Sequence, residues 1–104
     1  MYFRVGATKG GAYSWWLYAN NGEQVAWAGE TFGSESNANR AATSFKAGAA
    51  AASYDVYEDA GSKWRWRAWR SSDKVASSGE SFSSKAAAQR GADNVRDHAG
   101  SATI

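Results

Sequence analysis

The chain repeats itself, and the repeat limits the folds open to it. Gly29-Glu30-Thr31-Phe32 recurs as Gly79-Glu80-Ser81-Phe82, and Val25-Ala26, Arg40 and Phe45 match Val75-Ala76, Arg90 and Val95, all fifty residues on. Upstream, Phe3, Val5, Tyr13 and Trp15 match Tyr54, Val56, Trp64 and Trp66 at fifty-one, so the second copy has lost one residue in a turn. A recurrence of this length is one supersecondary unit used twice, and the two copies must share a core that neither could bury alone. We read copies at 2–47 and 53–98, joined by the alanine-rich stretch Gly48–Ala52, within a single domain 1–104.

Each copy holds three short segments rich in aromatics and valine, then a segment of helical period. Asn21-Gly22 is a strong hairpin signal and predicts a two-residue type I′ turn, and the shortened second copy then suggests a three-residue loop, Ser71-Ser72-Asp73. Gly10-Gly11 and Ala60-Gly61-Ser62 mark the other two hairpin turns. Ser34 and Ser83 or Ser84 are the natural N-caps of the helices. Ala38, Ala41, Ala42 and Phe45 form one helix face, and Ala88, Gly91, Ala92 and Val95 form the other. Six Trp, five Tyr and four Phe stand beside a single Met and a single Leu. The sheet therefore supplies the bulk of the core, and small-faced helices make room for it. The expected fold class is α+β: two β-β-β-α units sharing one antiparallel sheet, with both helices on one face.

Turn positions set register, and register sets faces. Folding about Gly10 puts Phe3 opposite Leu17, Arg4 opposite Trp16 and Val5 opposite Trp15; folding about Asn21-Gly22 puts Trp16 opposite Trp27, Leu17 opposite Ala26 and Tyr18 opposite Val25. One face then carries Phe3, Val5, Trp15 and Leu17 toward the helices, and the other carries Tyr2, Arg4, Trp16, Tyr18, Val25 and Trp27. In the second copy, folding about Gly61 pairs Asp59 with Lys63, Tyr57 with Arg65 and Asp55 with Arg67 on one face with Trp69, leaving Arg65, Trp69 and Arg70 without an assigned charge partner.

The run Trp66-Arg67, then Ser78-Gly79-Glu80-Ser81-Phe82-Ser83-Ser84-Lys85-Ala86-Ala87-Ala88-Gln89-Arg90-Gly91, ending near Val95-Arg96, resembles the YegP-like domain of unknown function. Tyr13-Ser14-Trp15-Trp16-Leu17 with Asn21-Gly22 resembles the same motif in the first copy. The resemblance implies a β-β-β-α unit, with two units sharing one antiparallel sheet and exchanging their C-terminal helices. The first copy departs from the motif at Gly33–Asn37, where the Ser-Lys-Ala run is missing, and at Trp16, which replaces a basic residue. The family carries no established activity.

Several chemistries are excluded by residue type. Without cysteine there is no disulfide framework, thiolate nucleophile or zinc ribbon, and one histidine, His98, cannot build a multi-histidine cage. The glycines match neither a Walker A loop nor a dinucleotide fingerprint, no Gly-x-Ser-x-Gly elbow is present, and Asp55, Glu58 and Asp59 lack calcium-loop spacing. Glu30 precedes Arg40, and Glu80 precedes Arg90, by ten residues. These pairs read as ion pairs bracing the strand-to-helix turns rather than as acid–base catalysts, because no histidine or metal ligand accompanies them. The reading is a non-enzyme without cofactor or metal.

Two features remain. Trp16, Tyr18 and Trp27 with Arg4 form an apolar cluster on the open face, which suits a protein partner or self-association; the alternative is cross-strand packing with Arg4 stacked on Trp16. Lys63–Arg70 interleaves bases with tryptophans, and Arg65 and Trp69 there suit single-stranded nucleic acid. A net charge of +2 decides neither. The N-terminal residues do not form a secretory signal, and Ala47–Ala52 is too short to span a bilayer, so the expected location is the cytoplasm with no membrane partner.

Overall fold

The computed structural model describes residues 1–104. Strands β1 (Tyr2–Ala7), β2 (Tyr13–Tyr18) and β3 (Gln24–Trp27) lead into helix α1 (Glu35–Gly48). Strands β4 (Ser53–Glu58), β5 (Trp64–Arg70) and β6 (Asp73–Ser77) lead into helix α2 (Lys85–His98) and a short 3-10 turn, Ala99–Ser101. All six strands form one sheet in the order β1-β2-β3-β6-β5-β4, every neighbour antiparallel, and the halves meet where Trp27 pairs with Ser77. This order reads the same from either edge. A half-turn about an axis normal to the sheet, between β3 and β6, therefore carries one half's topology onto the other's.

The first hairpin of each half has the expected register. Phe3 faces Leu17, Arg4 faces Trp16 and Val5 faces Trp15, while Asp55 faces Arg67 and Tyr57 faces Arg65. The second hairpins differ from expectation at their tips. In β2–β3 the Ala19 N–H donates to the Glu23 carbonyl and only Gly22 takes a positive φ, so the loop is the three residues Asn20-Asn21-Gly22. The Asn21 side chain accepts from the Glu23 N–H instead of sitting left-handed. Arg70 pairs with Asp73, so the loop of the second half is two residues, Ser71-Ser72, with Ser71 at φ 55°. The shorter turn thus belongs to the second half, the reverse of the sequence-based assignment. A bulge then removes Val25 from its expected pairing with Tyr18, which faces Gln24 instead, and Val75 is passed over in the same way between Lys74 and Ala76. Beyond the bulge the expected pairs Leu17–Ala26 and Trp16–Trp27 are in place.

Both helices lie on one face, capped by Ser34 and Ser84, whose hydroxyls accept from the Asn37 and Ala87 N–H groups. The exchange of helices implied by the family resemblance is not present. Each helix rests mainly on the first two strands of its own half; α1 meets the other half at β6, the Arg70 side chain and the 3-10 turn, and α2 meets it at β3. Side-chain fit explains this. The Phe45 ring of α1 stacks on Trp15 at 5.1 Å and meets Phe3 edge-on at 6.5 Å. In α2, Gly91 lies so close to Phe82 and Trp66 that a Cβ would come within 2.9 Å of the Phe82 ring. Bulk from the strands and small residues from the helices make one core, in which Ala42, Ala92, Ala26, Ala68 and Ala76 are all fully buried.

Tyr54 closes the core beneath α1's end. Its ring packs on Trp66 and its hydroxyl donates to the Ala49 carbonyl at 2.8 Å. Burial pushes its phenol up to about 12, with Arg96 opposing and Asp97 adding to the rise. The folded value lies above the ordinary one of 10.0, so the neutral hydroxyl's contribution is whole below that pH and fades as pH rises through the folded value. The urea midpoint of the native chain should therefore fall between about pH 10 and about pH 12 more steeply than that of Tyr54→Phe, which has no phenol to titrate. Parallel profiles would refute this account.

Candidate functional site

Alternation along the strands leaves one face of the sheet without a helix, and every residue singled out as a partner-binding candidate lies on it. Strand β1 contributes Tyr2 and Arg4, β2 contributes Trp16 and Tyr18, and β3 contributes Trp27. Strand β5 contributes Arg65, Arg67 and Trp69, and β4 contributes Asp55 and Tyr57. The aromatic cluster of the first half and the arginine–tryptophan strand of the second, which the sequence presents as two separate features, thus form one surface.

The tryptophans on this face are half-buried rather than exposed. Neighbours on a pleated surface shield one another: Tyr2 stacks on Tyr18 at 5.4 Å, and Trp27 reaches across to Gly79, where a Cβ would come within 2.9 Å of its ring. Arg4 leans over Tyr2, at 5.7 Å from the ring centre, and not over Trp16 as expected. The exposed Arg4 takes part in no ion pair, and Arg4, Val5, Gly6, Trp16 and Tyr18 border a shallow hollow of about 470 Å³.

Arg65 is not free. Its Nε donates to Asp59 at 2.8 Å, and this bond, helped by the Lys63 and Gly61 N–H groups, holds the Asp59 carboxyl below its ordinary pKa. The expected Asp59–Lys63 charge pair is replaced by that bond, because the Lys63 contribution comes from its backbone N–H. Arg67 reaches Asp55 at 3.3 Å while lying 3.9 Å over the Tyr57 ring and 5.7 Å from Trp69. The Arg67 Nε–H has no acceptor. Arg70 also has a contact, a long hydrogen bond of 3.4 Å to Ser44 on α1. The half that looks basic in sequence is therefore a lattice of Asp–Arg pairs and stacked guanidiniums.

Glu30 and Glu80 make no ion pair with Arg40 and Arg90, which are exposed on the outer sides of their helices. The turns are braced through backbone instead. Buried Ser14 donates to the Glu30 carbonyl at 2.9 Å, and buried Ser78 donates to the Glu80 carbonyl at 2.8 Å. These serines come from non-equivalent places in the two halves, which is why the repeat does not reveal them. The Glu30 turn borders a groove of about 540 Å³ beneath α1, with Phe32, Ser44, Asp73 and Lys74 on its walls. Glu80 borders a smaller one of about 230 Å³ with Glu23, and partial burial first, then that neighbouring carboxylate, raises its pKa. His98 contacts the Asn94 carbonyl of its own helix at 2.9 Å and is exposed. No three His, Asp or Glu side chains gather as a metal-ligating group, and no helix is long and apolar enough to cross a membrane.

A six-stranded antiparallel sheet with two helices on one face and an uncovered aromatic face defines a small α+β protein class. Residues 9–55 match the family model described as Domain of unknown function (DUF1508), which supports the resemblance of the motifs to the YegP-like family. Two solved structures share the fold. A UPF0339 protein from Shewanella oneidensis is 20% identical, with a TM-score of 0.81 over 99% of this chain and 87% of that one. The protein of unknown function yegP from E. coli is 17% identical, with a TM-score of 0.82 over 99% of this chain and 89% of that one. No curated protein matches the sequence.

Proposed function

We propose that this is a small cytoplasmic, non-enzymatic interaction module, a tandem pair of repeats at 2–47 and 53–98 within one domain, whose partner binds the open face of the sheet. The observation that carries the reading is that Trp16, Tyr18, Trp27 and Trp69 share, with Arg4 and Arg65, the one face that neither helix covers. A core already complete on the helix side does not require large aromatics on the other, and contiguous aromatic surface of this kind marks interaction sites. Single-stranded nucleic acid through Arg65 and Trp69 is the second reading. Trp69 beside Arg67 favours it, and the carboxylates of Asp55 and Asp59, which already hold the two arginines and would repel phosphate, weigh against it.

A face kept for binding should cost little stability to remove. Trp16→Ala and Trp27→Ala are each expected to lower unfolding free energy by less than about 1.5 kcal/mol while preserving the far-UV spectrum. A loss of about 3 kcal/mol or more from each, as for a core tryptophan, would assign them to sheet packing and refute the reading.

A further inference from the structure

The open face has a charge pattern that matches its own rotated image. Arg4 and Asp55 are register equivalents in the two halves: Arg4 faces Trp16 across the β1–β2 pair, and Asp55 faces Arg67 across the β4–β5 pair. They lie on opposite edge strands, related by the half-turn normal to the sheet. Now bring a second sheet face to face with the first, about a two-fold axis lying in the interface and perpendicular to the Arg4–Asp55 line. That single operation sets Arg4 over the second copy's Asp55 and Asp55 over its Arg4. It also brings Trp16 over the other copy's Arg67, a π face over a cation. The contact is isologous and closes at two copies.

Direction and area agree. Arg4 and Asp55 are separated mainly across the strands, so the axis runs roughly along them, and the two sheets meet in the aligned way that sheets pack, about 10 Å apart. Six strands spaced about 4.8 Å, each about 18 Å long, give roughly 500 Å² of flat face per copy. Two copies bury on the order of 1,000 Å² before side-chain relief is counted, which reaches what a specific interface needs. Phosphate would gain from Arg4 but would meet Asp55 and Asp59 in the other half, whereas a second copy satisfies both signs.

We propose that the occupant of the open face is a second copy of this chain, in a face-to-face two-fold dimer with Arg4–Asp55 contacts at both ends. This rests on the interaction-module reading and names its partner. Sedimentation equilibrium from about 10 μM to about 1 mM should show a concentration-dependent dimer. Arg4→Asp and Asp55→Arg should each weaken it about ten-fold or more, and the double variant R4D/D55R should return it to within about three-fold of the native chain. A monomer throughout that range overturns the dimer, as does a dimer indifferent to both single variants. If a monomer also binds a fluorescent oligothymidylate with steep salt dependence, the face is a nucleic-acid surface instead. The face reading itself is decided separately, by the stability of Trp16→Ala and Trp27→Ala, so a failed dimer and a failed face are distinguishable.

Discussion

Trp15→Ala is expected to cost about 3–5 kcal/mol, among the largest losses one side chain of this protein can produce. Trp15 is wholly buried between Phe45 and Phe3 and is the main surface on which α1 sits. A domain of this size has a total stability of order 10 kcal/mol, so the variant should lose a large share of it, with a fall in urea midpoint and a melting temperature lower by 15 °C or so. Trp66, its counterpart beneath α2, provides an internal comparison. Its indole Nε1–H is buried with no acceptor, so Trp66→Phe removes an unsatisfied donor along with bulk. Trp66→Phe should therefore be tolerated better than Trp15→Phe. Equal losses, or a mild effect of Trp15→Ala, would contradict this description of the core.

The second large effect comes from adding atoms. Ala42 and Ala92 are fully buried on the inner faces of α1 and α2, where the helices come down on strands already filled with rings. Ala42→Leu adds three carbons at a fully buried position beside the Phe45–Trp15 stack, so α1 is expected to lift or Phe45 to leave that stack. We expect a loss of about 3 kcal/mol, at the upper end for overpacking. Thr43→Leu, one residue along on the exposed side, should stay within about 0.5 kcal/mol of the native chain. Urea unfolding of the two variants side by side measures the difference. Similar behaviour at both positions would mean that the helix is not seated through its alanines.

The parts of the fold legible in the sequence are those governed by local chemistry. Serine caps and the hairpin turns at Gly10 and Gly61 determine their segments by short-range hydrogen bonds, and alternation from those turns assigns the faces of Trp15, Trp16, Trp66 and Trp69. The Asn-Gly pair misled because Asn21 uses its side-chain oxygen to accept from Glu23, which stabilises a three-residue loop as effectively as a left-handed asparagine stabilises a two-residue one. The Glu–Arg pairs misled because a spacing of ten spans a turn and a cap, and the helix phase that buries Ala38 and Ala42 sends Arg40 outward. Ser14 and Ser78 were illegible for a different reason: a small polar residue in an aromatic strand reads as neutral until the carbonyl it holds is known. For the candidate site, alternation in the sequence assigned the side chains to the open face. Their union into one surface depends on β3 meeting β6, a long-range pairing that no local signal encodes.

The unequal tips of the two second hairpins have a further consequence. One loop has three residues and the other two, yet the pairs that follow are equivalent: Ala19 with Glu23 and Arg70 with Asp73, then Tyr18 with Gln24 and Trp69 with Lys74, then a valine passed over. Loop length at this point is uncoupled from which side of the sheet each residue occupies. Additional residues between Asn20 and Asn21, or between Ser71 and Ser72, would be charged only the slow logarithmic cost of closing a longer loop. These two tips are therefore the places where the chain can accept foreign sequence, so that the same scaffold could display a peptide at either of them with its core and its open face unaltered.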